Sequence, residues 1–355
     1  MFKTGVTGEV LGVSGSTRGL LYAPTLGKFN FILGLVVSGI IMNQLHGGFE
    51  ELPPLDQSTG DRVRFLLRLG FGGAMVGFGT ALGNGCTSGH GLTGLARLAL
   101  RSWVAVPTFM FCAAVAATAF GTATDLPPQP FREEDSVTVE GTLIISAILF
   151  AVVLVAFAAA AVYWRRNPEA EPAVKGKIAA ELFSGLVFGA GLSLSTMVRP
   201  SKVAGFLDFG SGRWDGSLMF VMGGALCITF PFHQTLQRIP GARPLLGGGF
   251  GLPPRNKKVD RSLVLGATIF GLGWGTCGMC PGPMWVALGG KPSIDVVVCI
   301  LGMLVGMGAW VILQKLQARR DARVAPVAVA AAGAGAKTAA ETDATDVKAS
   351  EVRAP

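Results

Sequence analysis

Eight apolar stretches, roughly 29–45, 66–82, 102–121, 141–164, 180–194, 216–232, 262–276 and 294–313, constrain this chain more than any other feature. A bilayer crossing takes about 20 helical residues, within a range of about 17–25. Hydrocarbon offers no partner for a backbone amide, so segments of this kind are stable as helices. A soluble domain is a poor alternative: half of the residues are hydrophobic, 15% are charged and the mean hydropathy is +0.52, which leaves too little charge to cover a surface of this size. The 51 glycines fall mostly inside or beside the apolar stretches. Glycine weakens a helix in water, but in a bilayer it lets helix backbones approach closely.

The net charge of +8 does not indicate nucleic acid, because the basic residues sit between apolar segments without aromatic interleaving. With the C-terminus inside, the inner loops (83–101, 165–178, 233–261 and the tail to 323) carry 16 lysines and arginines, and the outer loops carry 7. That bias predicts a cytoplasmic C-terminus. It puts the loop holding Cys86 on the inner side and the loop holding Cys277 and Cys280 on the outer side.

Three stretches, 66–82, 180–194 and 262–276, look short and run into loops rich in glycine or proline: Gly83 to Gly91, Ser195 to Gly212 and Cys277 to Pro283. Interrupted helices at matching positions predict a binding site near the membrane midplane. The positions do match. Val76-Gly-Phe-Gly-Thr-Ala-Leu-Gly-Asn-Gly-Cys86 aligns without gaps on Phe270-Gly-Leu-Gly-Trp-Gly-Thr-Cys-Gly-Met-Cys280, and Phe188 to Met197 is a weaker third copy. If 141–164 links two similar halves, its single crossing inverts one against the other. The first half then shows one helix fewer than the second, and Gly8 to Gly15 looks like the loop that would follow it. The expected fold is an all-α polytopic membrane protein, an inverted repeat of transmembrane helices with re-entrant glycine- and cysteine-rich loops. Its expected parts are a first module over 1–140, lacking its first helix or dispensing with it, a linking helix and cytoplasmic loop over 141–178, an inverted second module over 179–318, and a disordered cytoplasmic tail over 319–355.

The loop Gly83-Asn-Gly-Cys-Thr-Ser-Gly-His-Gly91 is the first candidate site. Its glycines, Gly85 among them, leave amides free to face a ligand, and a helix starting near Leu92 would aim its positive end there. Cys86, Thr87, Ser88 and His90 add weak or switchable donors that hold an anion without trapping it. A tight packing turn, with His90 satisfied by a carbonyl, accounts for the same residues. In the second loop Cys277-Gly-Met-Cys280 forms a C-x-x-C pair. Histidines occur only at 46, 90 and 233, and no second C-x-x-C completes a metal set. The choice is between thiol–disulfide chemistry and a thiol-lined anion loop, in which Cys280 holds the place of Cys86. Thiols suit a ligand that itself carries sulfur, through weak S–H hydrogen bonds. Met197, Arg199 and Lys202 in the third loop either attract an anion or anchor helix ends at the interface. No acidic residue lies convincingly inside a span, which argues for a channel-like or facilitated mechanism.

The run from Gly77 through Gly83-Asn-Gly-Cys-Thr-Ser-Gly-His-Gly91 to Gly94-Leu-Ala-Arg97 and Arg101-Ser-Trp103 closely resembles the YeeE/YedE sulfur-transport family in its two-module form. Met197 to Asp208 resembles the second module, and Cys277 to Pro283 its closing cysteine loop, so the similarity covers nearly all of 8–313. The resemblance implies helices and re-entrant loops in an hourglass-like inverted repeat that takes up thiosulfate, with Cys86 and Cys280 as pathway thiols acting by hydrogen bonding alone. Better-studied members have a further cysteine where this chain has Val13-Ser-Gly15; either Ser14 substitutes for it or the path differs here. The expected function is import of thiosulfate or a related small sulfur anion through a cysteine-lined pathway, with no enzymatic step, cofactor or nucleic acid. The expected partners are the lipid bilayer and a cytoplasmic sulfur-accepting protein. The alternative is a membrane thiol–disulfide oxidoreductase using Cys277 and Cys280.

Overall fold

Helices form where the apolar stretches predict them, and most begin earlier than the apolar pattern does. The structure, a computed structural model, describes residues 1–46, 49, 59–122, 174–212, 214–239, 241–246, 248–320 and 322. Their elements in chain order are α1 (Phe2–Thr7), α2 (Val13–Tyr22), α3 (Leu26–His46), α4 (Thr59–Gly83), π1 (Thr87–Gly94), α5 (Leu100–Phe120), α6 (Val174–Leu194), α7 (Pro200–Leu207), α8 (Ser217–Arg238), α9 (Arg261–Cys277), α10 (Pro281–Gly290) and α11 (Ile294–Arg320). Among the described residues there is no strand. Among the described residues, seven segments are long and apolar enough to cross a membrane, the broken pair α9–α10 counting as one. The predicted helix 141–164 and the tail beyond 325 lie outside the described residues.

Two of the stretches that look short are full length. The first extends back to Thr59, giving α4 25 residues, and the second to Val174, giving α6 21. Charged first turns, with Asp61, Arg62 and Arg64 in one case and Lys177 in the other, hide these starts from an apolarity scan. Only α9 stays short, at 17 residues, and the chain crosses the remaining distance through α10. The helix after the Cys86 loop begins at Thr87, not near Leu92, and it is a π-helix of eight residues. In the N-terminal segment α1 has six residues and precedes the Gly8 to Gly12 turn.

Residues Met1–Gly308 form one unit; Ala309–Pro355 form a second, helical where described as far as Arg320. In the first unit, helices of the two sequence halves interleave. α3 packs on α6 and α10, and α4 and α5 pack on α9. Glycine permits this: Gly34 and Gly185 meet across α3 and α6, and Gly79 and Gly266 across α4 and α9, where a Cβ would strike the opposite backbone. Around α9, the rings of Phe109 and Phe270 meet edge to face with centroids 5.2 Å apart, and Trp274 stacks on Phe270 at 6.0 Å. The outward faces are apolar too. Phe220 is 82% exposed, and Phe111, Leu67, Val305 and Phe71 are each about two-thirds exposed or more, a pattern that suits contact with lipid and not with water.

Candidate functional site

Four helices end at a left-handed residue and are followed by a short helix, and these four ends define the site. α1, α4, α6 and α9 each stop at a residue in the left-handed conformation: Gly8 (φ 78°), Asn84 (58°), Thr196 (57°) and Gly278 (69°). The last three fall on one position of the sequence repeat, so the repeat is preserved in backbone geometry. Gly85 N–H donates to Thr80 O and Met197 N–H to Leu192 O, both at 3.0 Å, the same bond over the same interval in two copies. This six-to-one bond closes a helix whose cap is left-handed. Gly278 suits the conformation and Asn84 tolerates it, whereas Thr196 is β-branched and strained there. After each stop a short helix starts, capped by Gly12 (α2), Cys86 (π1), Arg199 (α7) and Cys280 (α10), all with extended backbone.

The four breaks converge on one cavity of about 720 Å³. Its wall takes Leu11 and Val13 from the first break, Cys86, Thr87 and Ser88 from the second, Ser195 and Met197 from the third, and Cys280, Gly282 and Pro283 from the fourth. Apolar residues of α6 and α8, such as Phe188 and Met222, complete it. The loops of Cys86 and Cys280, which charge counting assigns to opposite sides, meet here. Thr87 Oγ1 lies 3.5 Å from Cys280 Sγ, and Cys86 Sγ lies 3.2 Å from Ser88 Oγ. Val13 N–H donates to Ser88 Oγ at 3.3 Å, which ties the first break to the second. Trp285 Nε1 donates to Thr17 Oγ1 at 3.0 Å, which ties α10 to α2. The first amides of helices have no partner within the helix, so the starts of π1 and α10 bring N–H groups and two thiols to one wall.

The other candidates lie elsewhere. Cys277 is buried behind the wall: its thiol donates to Met279 O at 3.6 Å and shares a hydrogen bond with Cys299. His90 is held by Ser102 Oγ at 2.9 Å and Gly83 O at 3.4 Å, as the packing alternative for this loop has it. Gly85 faces that ring, since a Cβ there would come within 2.6 Å of His90 Cδ2. Ser14 is buried but off the wall. α2 starts at Val13, so Val13 takes the wall position and the next residue turns about 100° away. Lys202 reaches Asp215 at 2.5 Å and does not line the cavity. That contact holds the Asp215 carboxyl down at about 2, so this carboxylate stays ionised at any physiological pH. Both side chains are about a third exposed, and pairs of this kind contribute about 0–1 kcal/mol. Lys202→Ala is therefore expected to change stability by no more than about 1 kcal/mol; the melting temperature of the purified protein checks this.

Sequence reasoning missed Lys3 and Glu181. Lys3 lines the cavity and pairs with Glu181 at 2.8 Å, with both side chains buried. Glu181 lies within the span Gly176–Leu194, which corrects the expectation of no acidic residue inside a span. In the sequence it sits at the edge of an apolar run, and its partner is 178 positions away, so no local signal joins them.

Broken helices around a shared cavity, with seven segments among the described residues long and apolar enough to cross a membrane, define a multi-pass α-helical membrane protein of the transporter class. Comparison with known proteins specifies the kind. Residues 13–115 match the model of the sulphur transport family, and residues 176–322 match a family of unknown function (DUF6691). A probable transporter of Xylella fastidiosa (strain Temecula1 / ATCC 700964) is 43% identical over 127 residues, covering 35% of this chain and 84% of the relative. A second probable transporter of that strain is 31% identical over 117 residues, covering 33% and 81%. The thiosulfate transporter TsuA of Spirochaeta thermophila is 34% identical over 74 residues, 21% of each chain. No solved structure matches. The chain belongs to the YeeE/YedE sulphur-transport family.

Proposed function

We propose that this protein imports thiosulfate, or a closely related small sulfur anion, through the cavity where its four helix breaks meet. The observation that carries the reading is the meeting of the Cys86 and Cys280 loops on one wall, with Thr87 Oγ1 3.5 Å from Cys280 Sγ. An anion there meets helix-start amides, the Thr87 and Ser88 hydroxyls and two thiols, all neutral donors. Giving up water is costly for a dianion, so several weak donors in series suit passage better than one strong charge. The cation on the wall, Lys3, is balanced by Glu181 and adds attraction without a deep trap. The thiols act by hydrogen bonding and undergo no covalent change. The rest of the wall is mostly apolar, with the hydroxyl residues Ser184 and Ser195 among it.

The oxidoreductase alternative needs Cys277 and Cys280 to act on one another. In its place Cys277 shares its thiol with Cys299 and Met279, and Cys280 faces Thr87, which supports the carrier. In this proposal the modules of the sequence repeat, 1–140 and 179–318, each contribute two breaks. The C-terminus lies in the cytoplasm, on the side of the denser basic residues, and delivers the anion to a sulfur-accepting protein there. The test is uptake of sulfur-35 thiosulfate by cells that lack their own importers. Saturable uptake that unlabelled thiosulfate competes away and sulfate does not is the expected result. Accumulation no greater than in cells without the protein, at confirmed membrane abundance, would remove thiosulfate as the substrate.

A further inference from the structure

Passing an anion along weak neutral donors does not require a buried carboxylate, yet one stands against the cavity wall. Glu181 is 4% exposed and lies within the span Gly176–Leu194. Three residues further along α6, on the same face of the helix, Ser184 lines the cavity. Lys3 lines it as well, and its Nζ lies 2.8 Å from Glu181 Oε2, so the ammonium links the cavity to a carboxylate that does not itself line it. That oxygen accepts no well-aligned hydrogen bond, which leaves charge to hold the pair. Lys3 Nζ also sits 4.3 Å from the centre of the Phe31 ring, and Phe31 is fully buried. α6 packs on α1, α3 and α10. Besides Lys3, the first of these brings the amino group of Met1, which lines the cavity, and the turn after it brings Glu9, 63% exposed and with Oε2 4.0 Å from Lys3 Nζ. α3 brings Lys28, whose Nζ donates to Ala23 O at 3.0 Å. α10 has no charged residue, and on α6 itself Lys177 stands one turn before Glu181.

We propose that Glu181 carries one proton with each imported anion, which makes the protein a proton-coupled symporter. An anion in the cavity attracts the Lys3 ammonium, and only charge holds that ammonium to Glu181. The two negative charges of a sulfur dianion and the carboxylate then share one ammonium away from water, an excess that is costly in apolar surroundings. A proton taken up by Glu181 lowers the excess by one. When the anion leaves, Lys3 returns to the carboxylate and the proton departs. The carboxylate gains and loses one proton in each cycle, and no bond within the anion changes. Import of a dianion runs against an inside-negative membrane potential, and a proton carried along removes one of the two charges from that opposition. An ionisable residue within a span, paired with a charge that can turn away, suits such a role. The inference rests on the transport reading, and it replaces the facilitated passage expected from the sequence with coupled passage.

The experiment is accumulation of sulfur-35 thiosulfate by the purified full-length protein in liposomes. Potassium and valinomycin hold the membrane potential at zero, and the outside is one pH unit more acidic than the inside. With one proton per anion, the parent is expected to concentrate thiosulfate about tenfold, because a pH unit is a factor of about ten in proton activity. A pH dye in the lumen is expected to report acidification when thiosulfate is added. Glu181→Gln, which resembles the protonated carboxyl, is expected to let the label in to the outside concentration and no further, without acidification. If this variant folds poorly because Lys3 has lost its partner, seen as a lowered melting temperature, the double variant Lys3→Gln, Glu181→Gln removes both charges and carries the same expectation. Label that enters with the parent but reaches only the outside concentration overturns the coupling and leaves the transport reading standing. Tenfold accumulation kept by the folded Glu181→Gln protein overturns the role of Glu181. No entry of label with the parent removes the transport reading itself, so the two failures separate.

Discussion

Thiosulfate uptake is expected to fall about ten- to a hundredfold in Cys86→Ala and in Cys280→Ala, and to stay within about threefold of the parent in Cys277→Ala. The thiols of Cys86 and Cys280 line the cavity, and alanine in either place leaves an acceptor on the passing anion without its donor. At a dehydrated site an unmatched acceptor costs about 1–3 kcal/mol, which sets the size of the loss. Cys277 lies behind the wall and serves Met279 and Cys299, so its removal disturbs packing more than the path. Serine separates polarity from sulfur. Cys86→Ser keeps a donor of similar reach, and uptake between the parent and the alanine variant would assign part of the effect to the softness of sulfur. Initial rates at matched membrane abundance are the measurement. If Cys277→Ala were as damaging as Cys280→Ala, and a reductant abolished activity in the parent, the pair would be a redox couple and the oxidoreductase alternative would take its place.

The second large effect concerns folding. Gly77→Val is expected to prevent α4 and α11 from assembling. Gly73 and Gly77 on α4 lie against the backbone of Cys299 and Met303 on α11, and Gly302 and Gly306 on α11 lie against the backbone of Gly70 and Ala74 on α4, so the helices touch backbone to backbone along this line. A Cβ at Gly77 would overlap Met303 O, and one at Gly306 would overlap Ala74 O. A carbonyl committed to its own helix cannot step aside, so the helices must separate. Overpacking of a close contact costs about 1–3 kcal/mol and sometimes more, and a valine adds two methyl groups to the overlap. The folded yield in detergent is expected to collapse, with a melting temperature well below that of the parent. Gly223→Ala on α8 is the control, because a Cβ there meets nothing within 4 Å. It is expected to be neutral or slightly stabilising, since alanine is the better helix former. A Gly77→Val protein that melts with the parent would mean that α4 and α11 do not touch as described.

Much of this arrangement is legible in the residues. The spans follow from apolar length, and the repeat follows from three copies of one glycine pattern. Two of those copies place Cys86 and Cys280 at equal positions, and both line the cavity. Length and spacing are local properties that a chain carries with it into any environment. The starts of α4 and α6 are less legible, because charged first turns hide a helix that tertiary contacts complete.

What faces the cavity depends on helical phase after each break, and that phase is set by where the short helix begins. Starting π1 at Thr87 puts Thr87 and Ser88 on the wall and sends His90 to Ser102. Starting α2 at Val13 displaces Ser14. The charges are less legible still. Lys3 finds Glu181 and Lys202 finds Asp215, according to which helices become neighbours. The sequence by itself determined that this chain enters a membrane as interrupted glycine-rich helices bearing two equivalent cysteines, because hydrocarbon imposes that on each segment separately. Only the tertiary structure decided which donors share a cavity and which charges are balanced, because those depend on distances between segments far apart in the chain.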